Sequence, residues 1–213
     1  MKNTALSTSP SDVPFWDAAY ANATRPDTFC GGAPSAQIVE IATKLPPGAK
    51  ILDLGCGDGR NALYFAEQGF AVTAVDVSEA AIEAVQRFAQ SRSVTVATVV
   101  QDMRHYTPDT AFDLIIAEGC LHLIERDQWL LLVKRLQKIA PIGCYHDITV
   151  FTDVLPLPDD MVAYTHGLFH EGELFTLYDG WTIHLQASYQ FDDEHPGSVK
   201  HRHAVNKLVA QKN

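Results

Sequence analysis

The chain is predicted to be an α/β protein. It should have an open, mostly parallel seven-stranded sheet, helices on both faces and an antiparallel hairpin at the C-terminal end. Three observations carry this expectation. Strand and helix patterns alternate between residues 50 and 151. A buried strand runs directly into a glycine-rich turn that opens a helix, at Ile51-Leu52-Asp53-Leu54-Gly55-Cys56-Gly57-Asp58-Gly59-Arg60-Asn61. Two long strand patterns close the chain, separated by Pro196-Gly197.

The elements follow in order. Residues 1–11 are small and polar, a loose tail. Residues 13–30 place Phe15, Trp16 and Tyr20 at helical spacing, which suits either a helix packed on the core or a lid over a ligand. APSAQIVEIAT (33–43) reads as a helix, ended by Pro46-Pro47-Gly48. KILDL (50–54) reads as a buried strand, and RNALYFAEQ (60–68) as a helix closed by Gly69. FAVTAV (70–75) is the second strand. Ser78 can cap the next helix, with Glu79 in its first turn and Ile82, Val85 and Ala89 as its core stripe.

VTVATVV (94–100) is a β-branched third strand and FDLIIA (112–117) a fourth. Asp127 can cap a helix with Trp129, Leu132, Val133, Leu136 and Ile139 on its apolar face. IGCYHDITVF (142–151) is the fifth strand. Crossovers of this length force parallel pairing. A Pro-, Asp- and Gly-containing excursion spans 153–172, and 181–191 and 203–211 make the hairpin. The expected organisation is an N-terminal tail and lid helix over 1–32 and one domain over 33–213.

Composition narrows the function. The 213 residues are 46% hydrophobic and 20% charged, ordinary for a globular domain. A net charge of −10 repels phosphate backbones, so nucleic acid is a poor partner. Lys200, Arg202 and Lys207 are expected to decorate an exposed strand. Cys30, Cys56, Cys120 and Cys144 have no metal-ligand spacing. The spacing of His166, His170, His195, His201 and His203 matches no zinc pattern, so no metal is expected. No apolar run approaches the roughly 20 residues of a membrane span. The expectation is a cytoplasmic protein with reduced thiols, away from membranes, as a monomer or homodimer.

The glycine-rich turn is the most informative stretch. Glycines allow a ligand close to the backbone, and the helix beyond offers N–H groups to an anion. Dinucleotide sites favour G-x-G-x-x-G. Gly55, Gly57 and Gly59 instead give G-x-G-x-G, and Asp53 ends the strand before them. This pattern is similar to the first motif of S-adenosylmethionine enzymes, which implies S-adenosyl-L-methionine as cofactor.

The remaining polar groups fall at successive strand ends. Asp76, 21 residues beyond Gly55, can accept both ribose hydroxyls. Gln101-Asp102-Met103 follow the third strand, where the resembling family keeps an acidic residue near the adenine. Glu118-Gly119 follow the fourth, at the crevice of an open α/β sheet. The expected cofactor set is thus Asp53, Gly55, Cys56, Gly57, Arg60, Asp76, Val77, Gln101, Asp102, Met103, Glu118 and Gly119.

DLGCGDGRNALYFAEQGFAVTAVDVS resembles the tellurite-resistance (TehB-like) methyltransferases. Phe112-Asp113-Leu114-Ile115-Ile116 matches their fourth strand. Phe169-His170-Glu171-Gly172-Glu173-Leu174 and Tyr178-Asp179-Gly180-Trp181 are similar to a more specific F-x-E-G-E-L…Y-x-x-W segment. The resemblance implies a Rossmann-like class I methyltransferase fold and transfer of a methyl group to a small acceptor. That acceptor is a chalcogen oxyanion such as tellurite or selenite, or a small organic O-, N- or S-nucleophile.

The chain also departs from the family. Ala140-Pro141-Ile142-Gly143 stands where K-P-G-G is usual. In the family, a His-Arg pair and an Arg on the last strand are thought to serve the oxyanion. His195 matches the first, Pro196 replaces its Arg, and Arg202 or His203 takes the later position. His195, Arg202 and His122 are therefore the candidates for catalysis, with Trp16, Tyr20 and His122 facing the acceptor. Methyl transfer from a sulfonium needs mainly alignment and exclusion of water. Two alternatives remain: a non-methylating reaction on the same cofactor, and a non-catalytic cofactor-binding module.

Overall fold

The computed structural model describes residues 13–24, 33–159, 161–193 and 200–213. Seven strands form one sheet: β1 Lys50–Leu54, β2 Ala71–Asp76, β3 Ala97–Val100, β4 Leu114–Glu118, β5 Tyr145–Phe151, β6 Thr182–Asp193 and β7 His201–Gln211. Their order is β3-β2-β1-β4-β5-β7-β6. The first five are parallel, and β7 runs antiparallel to both β5 and β6. Strand order reverses between β1 and β4, the switch point at which open α/β sheets bind ligands.

The helices are α1 Val13–Tyr20, α2 Ala36–Ala42, α3 Arg60–Glu67, α4 Glu79–Ser91, α5 Arg126–Ile139 and α6 Glu173–Thr176. Helices α2, α3 and α4 cover one face of the sheet through Ile38, Ile41, Phe65 and Val85. Helices α5 and α6 cover the other through Trp129, Leu132, Leu136 and Leu174. Each such large apolar side chain contributes at most about 1.5–3 kcal/mol on burial. Among the described residues, no helix is long and apolar enough to cross a membrane.

Local chemistry sets the boundaries. Ser78 caps α4 as expected, its Oγ accepting from the Ala81 N–H at 3.1 Å. Helix α5 begins earlier than the sequence suggests. Glu125 is its N-cap and Asp127 lies inside its first turn, where the carboxylate favours the helix dipole without capping. Strand β3 is confined to four residues, because only Ala97–Val100 pair with β2. Strand β7 is not an exposed strand. It lies inside the sheet, and β6, with mostly exposed side chains, forms the edge.

The E-G-E-L and Y-D-G-W segment pins the 153–172 excursion. Glu173 pairs with Arg126 and accepts the His170 N–H at 3.0 Å. The Gly172 N–H donates to Asn206 Oδ1 at 2.7 Å. The Tyr178 hydroxyl meets His146 Nδ1 at 2.8 Å. These contacts are structural, and the His166 and Gly167 N–H groups further tie the excursion to the His122 carbonyl.

Candidate active site

A cavity of about 630 Å³ opens at the C-terminal ends of β1, β2, β3 and β4, within the roughly 300–1,000 Å³ usual for small-molecule sites. It continues along one face of β5, β7 and β6, and α1 forms a further wall. All twelve residues expected to hold the cofactor line it, as do Trp16, Tyr20 and His122.

The glycine turn is built for close packing. Gly55 has φ +69°, and a Cβ there would meet Cys120 Cβ at 2.5 Å. Gly57 has φ +54°, and a Cβ would come within 2.6 Å of the Tyr20 hydroxyl. The left-handed backbone and the lack of room both select glycine. The amides of this turn are engaged within the protein. Gly55 N–H and Cys56 N–H both donate to the Val75 carbonyl, and Gly57 N–H donates to Asp76 Oδ2 at 2.8 Å. One free amide of the α3 N-terminus is also taken, since Ala62 N–H donates to Asp53 Oδ2 at 3.0 Å.

Asp76 holds two amides at once, Gly57 through Oδ2 and Ser78 through Oδ1 at 3.0 Å. Burial raises its pKa, while those N–H donors pull it back. Asp53 is pushed up to about 7, first by burial and then by the charge of Glu118, against the opposing pull of Arg60. Asp102 is clasped by Arg104, whose backbone N–H and Nε each lie 2.8 Å from it. Burial works to raise its pKa, but the Arg104 contacts outweigh it and the carboxyl ends lower than usual.

Glu118 has a role the sequence did not suggest. Its Oε2 accepts from Arg60 at 3.0 Å and Asn61 at 2.8 Å, and its Oε1 accepts from Gln37 at 2.7 Å. Lys207 Nζ lies 3.3 Å from Oε1. Burial opposes ionisation of Glu118, yet Lys207 and Arg60 together lower its pKa. It is a hub joining α2, α3, β4 and β7. Lys207, expected on an exposed strand, is therefore half of a buried pair with 12% side-chain exposure. Behind the hub, Asp147 is fully buried, and burial and the charge of Glu118 drive its pKa far up.

The other half of the cavity is aromatic. Phe151 stacks on His122 at 4.3 Å and on His203 at 4.4 Å. Phe191, Tyr189 and Val205 extend this wall, and Trp16 meets Tyr164 edge-on at 5.3 Å. Phe15 stacks on Tyr164 from outside, and Asp17 anchors α1 by accepting from Ser78 Oγ at 2.6 Å.

The three catalytic candidates fare differently. His122 is on the cavity wall, but burial and neighbouring His203 lower its pKa to about 3. Its Nδ1 accepts the Phe151 N–H at 3.3 Å, leaving Nε2 as the protonated nitrogen of a neutral ring. It can serve the acceptor as a hydrogen-bond donor but not as a cation. Arg202 is not brought to the cavity. It alternates with His201 and His203 on β7, so it faces the other side of the sheet, where it pairs with Asp192 at 3.0 Å. His195 lies outside the described residues.

Ser35, Gln37, Asn61, Phe151, Tyr164, Phe191 and Lys207 are site residues that sequence reasoning missed. Of these, only Asn61 stood beside a recognised motif. The others arrive through tertiary packing, which no short spacing records.

The fit to a nucleoside sulfonium can be judged from charge. Among the described lining residues the carboxylates are Asp53, Asp58, Asp76, Asp102, Glu118 and Asp193, and the Arg and Lys side chains are Arg60, Arg104 and Lys207. Each of those three is ion-paired, Arg60 and Lys207 with Glu118 and Arg104 with Asp102. The remaining negative charge suits a ligand carrying ammonium and sulfonium groups, and the glycine turn leaves room for it beside the backbone.

Sheet order, switch-point cavity and strand-end carboxylates define a class I S-adenosyl-L-methionine-dependent methyltransferase fold. The family described as "Tellurite resistance protein TehB" matches residues 32–199, and the chain belongs to that family of S-adenosyl-L-methionine-dependent methyltransferases.

It is 29% identical over 146 residues to a probable S-adenosyl-L-methionine-dependent methyltransferase TehB of Haemophilus influenzae, covering 68% of this chain and 49% of that protein. The chain thus spans about half the length of the curated TehB relatives it matches. The crystal structure of Haemophilus influenzae TehB superposes with a TM-score of 0.75 at 22% identity, over 84% of this chain and 63% of that one. The N-methyltransferase NodS of Bradyrhizobium japonicum, solved with S-adenosyl-L-homocysteine, gives 0.68 at 17% identity, over 93% and 97%. At these identities the structural likeness speaks for the fold.

Proposed function

We propose that this protein transfers a methyl group from S-adenosyl-L-methionine to a small organic acceptor bearing an oxygen, nitrogen or sulfur nucleophile. The cofactor supplies an activated methyl on a positively charged sulfur. The chain's own residues bind, orient and exclude water.

The assignment on the cofactor side follows the strand ends. Asp76, already fixed by two backbone amides, presents its carboxylate to the ribose hydroxyls. Gln101, Asp102 and Met103 border the place of the base, with Met103 packed against the core. The methionine end belongs near Asp53 and Arg60, whose carboxylate and guanidinium complement an ammonium and a carboxylate.

The acceptor lies against Phe151, Phe191, Tyr189 and Tyr164. One observation carries the choice of an organic acceptor over a chalcogen oxyanion. Each of the three described Arg and Lys side chains on the cavity wall is paired with a carboxylate, and His122 is held neutral. Among the described residues the lining carboxylates Asp53, Asp58, Asp76, Asp102, Glu118 and Asp193 outnumber Arg60, Arg104 and Lys207, which disfavours a further anion on the acceptor side. An apolar ring or chain gains by burial against the aromatic wall. Trp16 and Tyr20 on α1 then act as a lid, excluding water above the reacting atoms.

The test is incubation with methyl-labelled S-adenosyl-L-methionine and a panel of phenols, thiols and amines beside tellurite and selenite. Labelled organic product is expected. Volatile label from tellurite or selenite alone would overturn the acceptor assignment. Turnover without label in any product would favour another reaction on the same cofactor.

A further inference from the structure

The last two strands bring together three side chains that are not grouped in the sequence. Asp193 ends β6 and His201 begins β7, and their Cα positions pair directly across the ladder. His203 lies two residues on, so its side chain shares a sheet face with His201. The metal-capable atoms of all three lie within 4.8 Å of one another. His201 Nε2 and His203 Nε2 are 3.0 Å apart, and His203 Nε2 is 3.5 Å from Asp193 Oδ2.

These separations have a simple meaning. Imidazole nitrogens and carboxylate oxygens bind a divalent transition metal at about 2.0–2.2 Å. Two such ligands subtending octahedral or tetrahedral angles stand about 3.0–3.5 Å apart. Two imidazoles and one carboxylate on one side of an ion suit zinc, iron or nickel, and leave positions open on the other side. Asp193 is also part of the cavity wall, and His203 packs on Phe151, so the open side faces the aromatic half.

We propose that Asp193, His201 and His203 form a divalent transition-metal site at the acceptor end of the cavity. Histidine spacing along the chain could not reveal it, because the third ligand comes from the neighbouring strand through register. The ion adds positive charge to a half of the cavity where, among the described lining residues, Lys207 is the one Arg or Lys side chain and is paired with Glu118. An acceptor hydroxyl or thiol placed on an open position would lose its proton more easily and be held facing the methyl donor. That consequence rests on the methyl transfer proposed above, whereas metal binding itself does not.

The experiment uses the full chain without a histidine tag, stripped with chelator and titrated with zinc chloride by calorimetry. Cobalt chloride gives the same titration by visible absorption. One equivalent is expected to bind, with a cobalt spectrum of nitrogen and oxygen ligands. His201→Gln and Asp193→Asn, whose folding is checked by thermal unfolding, should each weaken zinc by at least roughly tenfold. Absence of saturable binding by the native chain would overturn the site. So would binding that persists unchanged in both folded variants, which marks an adventitious ion. Zinc binding without labelled product from any acceptor would leave the metal site standing and remove the methyl-transfer reading instead.

Discussion

The two halves of the cavity solve different problems. At the ends of β1, β2 and β4 the polar groups are tied to one another before any ligand arrives. Asp53 holds an α3 amide, Asp76 holds two turn amides, and Glu118 gathers Arg60, Asn61, Gln37 and Lys207. Along β5, β7 and β6 the wall is aromatic through Phe151, Tyr189 and Phe191, with the cluster of Asp193, His201 and His203 where β6 meets β7. The first half therefore fixes orientation through charge and hydrogen bonds. On the proposed reading, the second tolerates variation in shape and selects the acceptor. A family can keep the first and change the second while the fold stays the same.

Four experiments press on this contrast. The largest effect is expected at the hub. Glu118→Ala leaves Arg60 and Lys207 buried beside Asp147 without their shared partner, and should cost about 3–5 kcal/mol of stability. Denaturant unfolding measures this, and a loss below about 1 kcal/mol would show that the hub is dispensable. Next is Asp76→Ala, which removes the proposed ribose acceptor and orphans two amides. Cofactor affinity by calorimetry should fall by at least roughly tenfold; an unchanged value would remove Asp76 from the ribose.

A smaller effect concerns pH. Asp53 has a pKa of about 7 without ligand, and a cationic ligand favours its ionised form. Affinity for S-adenosyl-L-methionine should therefore rise as pH passes upward through 7, because a bound cation lowers that pKa and binding releases a proton. Calorimetry between pH 6 and 8 reads the rise, and Asp53→Asn should flatten it. A native profile that is already flat denies the carboxylate this role. The smallest effect lies in the aromatic half. Phe191→Ala should raise the acceptor KM severalfold with cofactor affinity unchanged, since it removes only apolar contact on one side. Equal loss of both would mean that the halves are not separable.

Legibility in the sequence follows the same division. Strand β1 is found at Lys50–Leu54 as read, and Ser78 caps α4 as read, because both depend on local pattern and cap chemistry. All of the expected cofactor residues line the cavity for a similar reason, since each lies at or shortly beyond the C-terminal end of a strand or, for Arg60, opens the helix that follows. What they bond to was not legible. Glu118 looked like a ligand-facing carboxylate, but its partners come from 31 to 89 positions away in the chain. Arg202 and His203 are adjacent, and only the alternation of β7 in its final register tells which faces the cavity. The cap of α5 moved from Asp127 to Glu125, a shift too small for composition to resolve.

The double grip of Asp76 on Gly57 and Ser78 carries one more consequence. A carboxylate clamped by its own backbone has already surrendered its rotational freedom during folding, so a sugar arriving there meets a preorganised acceptor and little entropy remains to be lost. Departure is correspondingly unhindered by any rearrangement of that residue. If the ribose binds there as proposed, release of the spent nucleoside is expected to be governed by what covers the crevice, namely the helix whose Tyr20 hydroxyl overhangs Gly57.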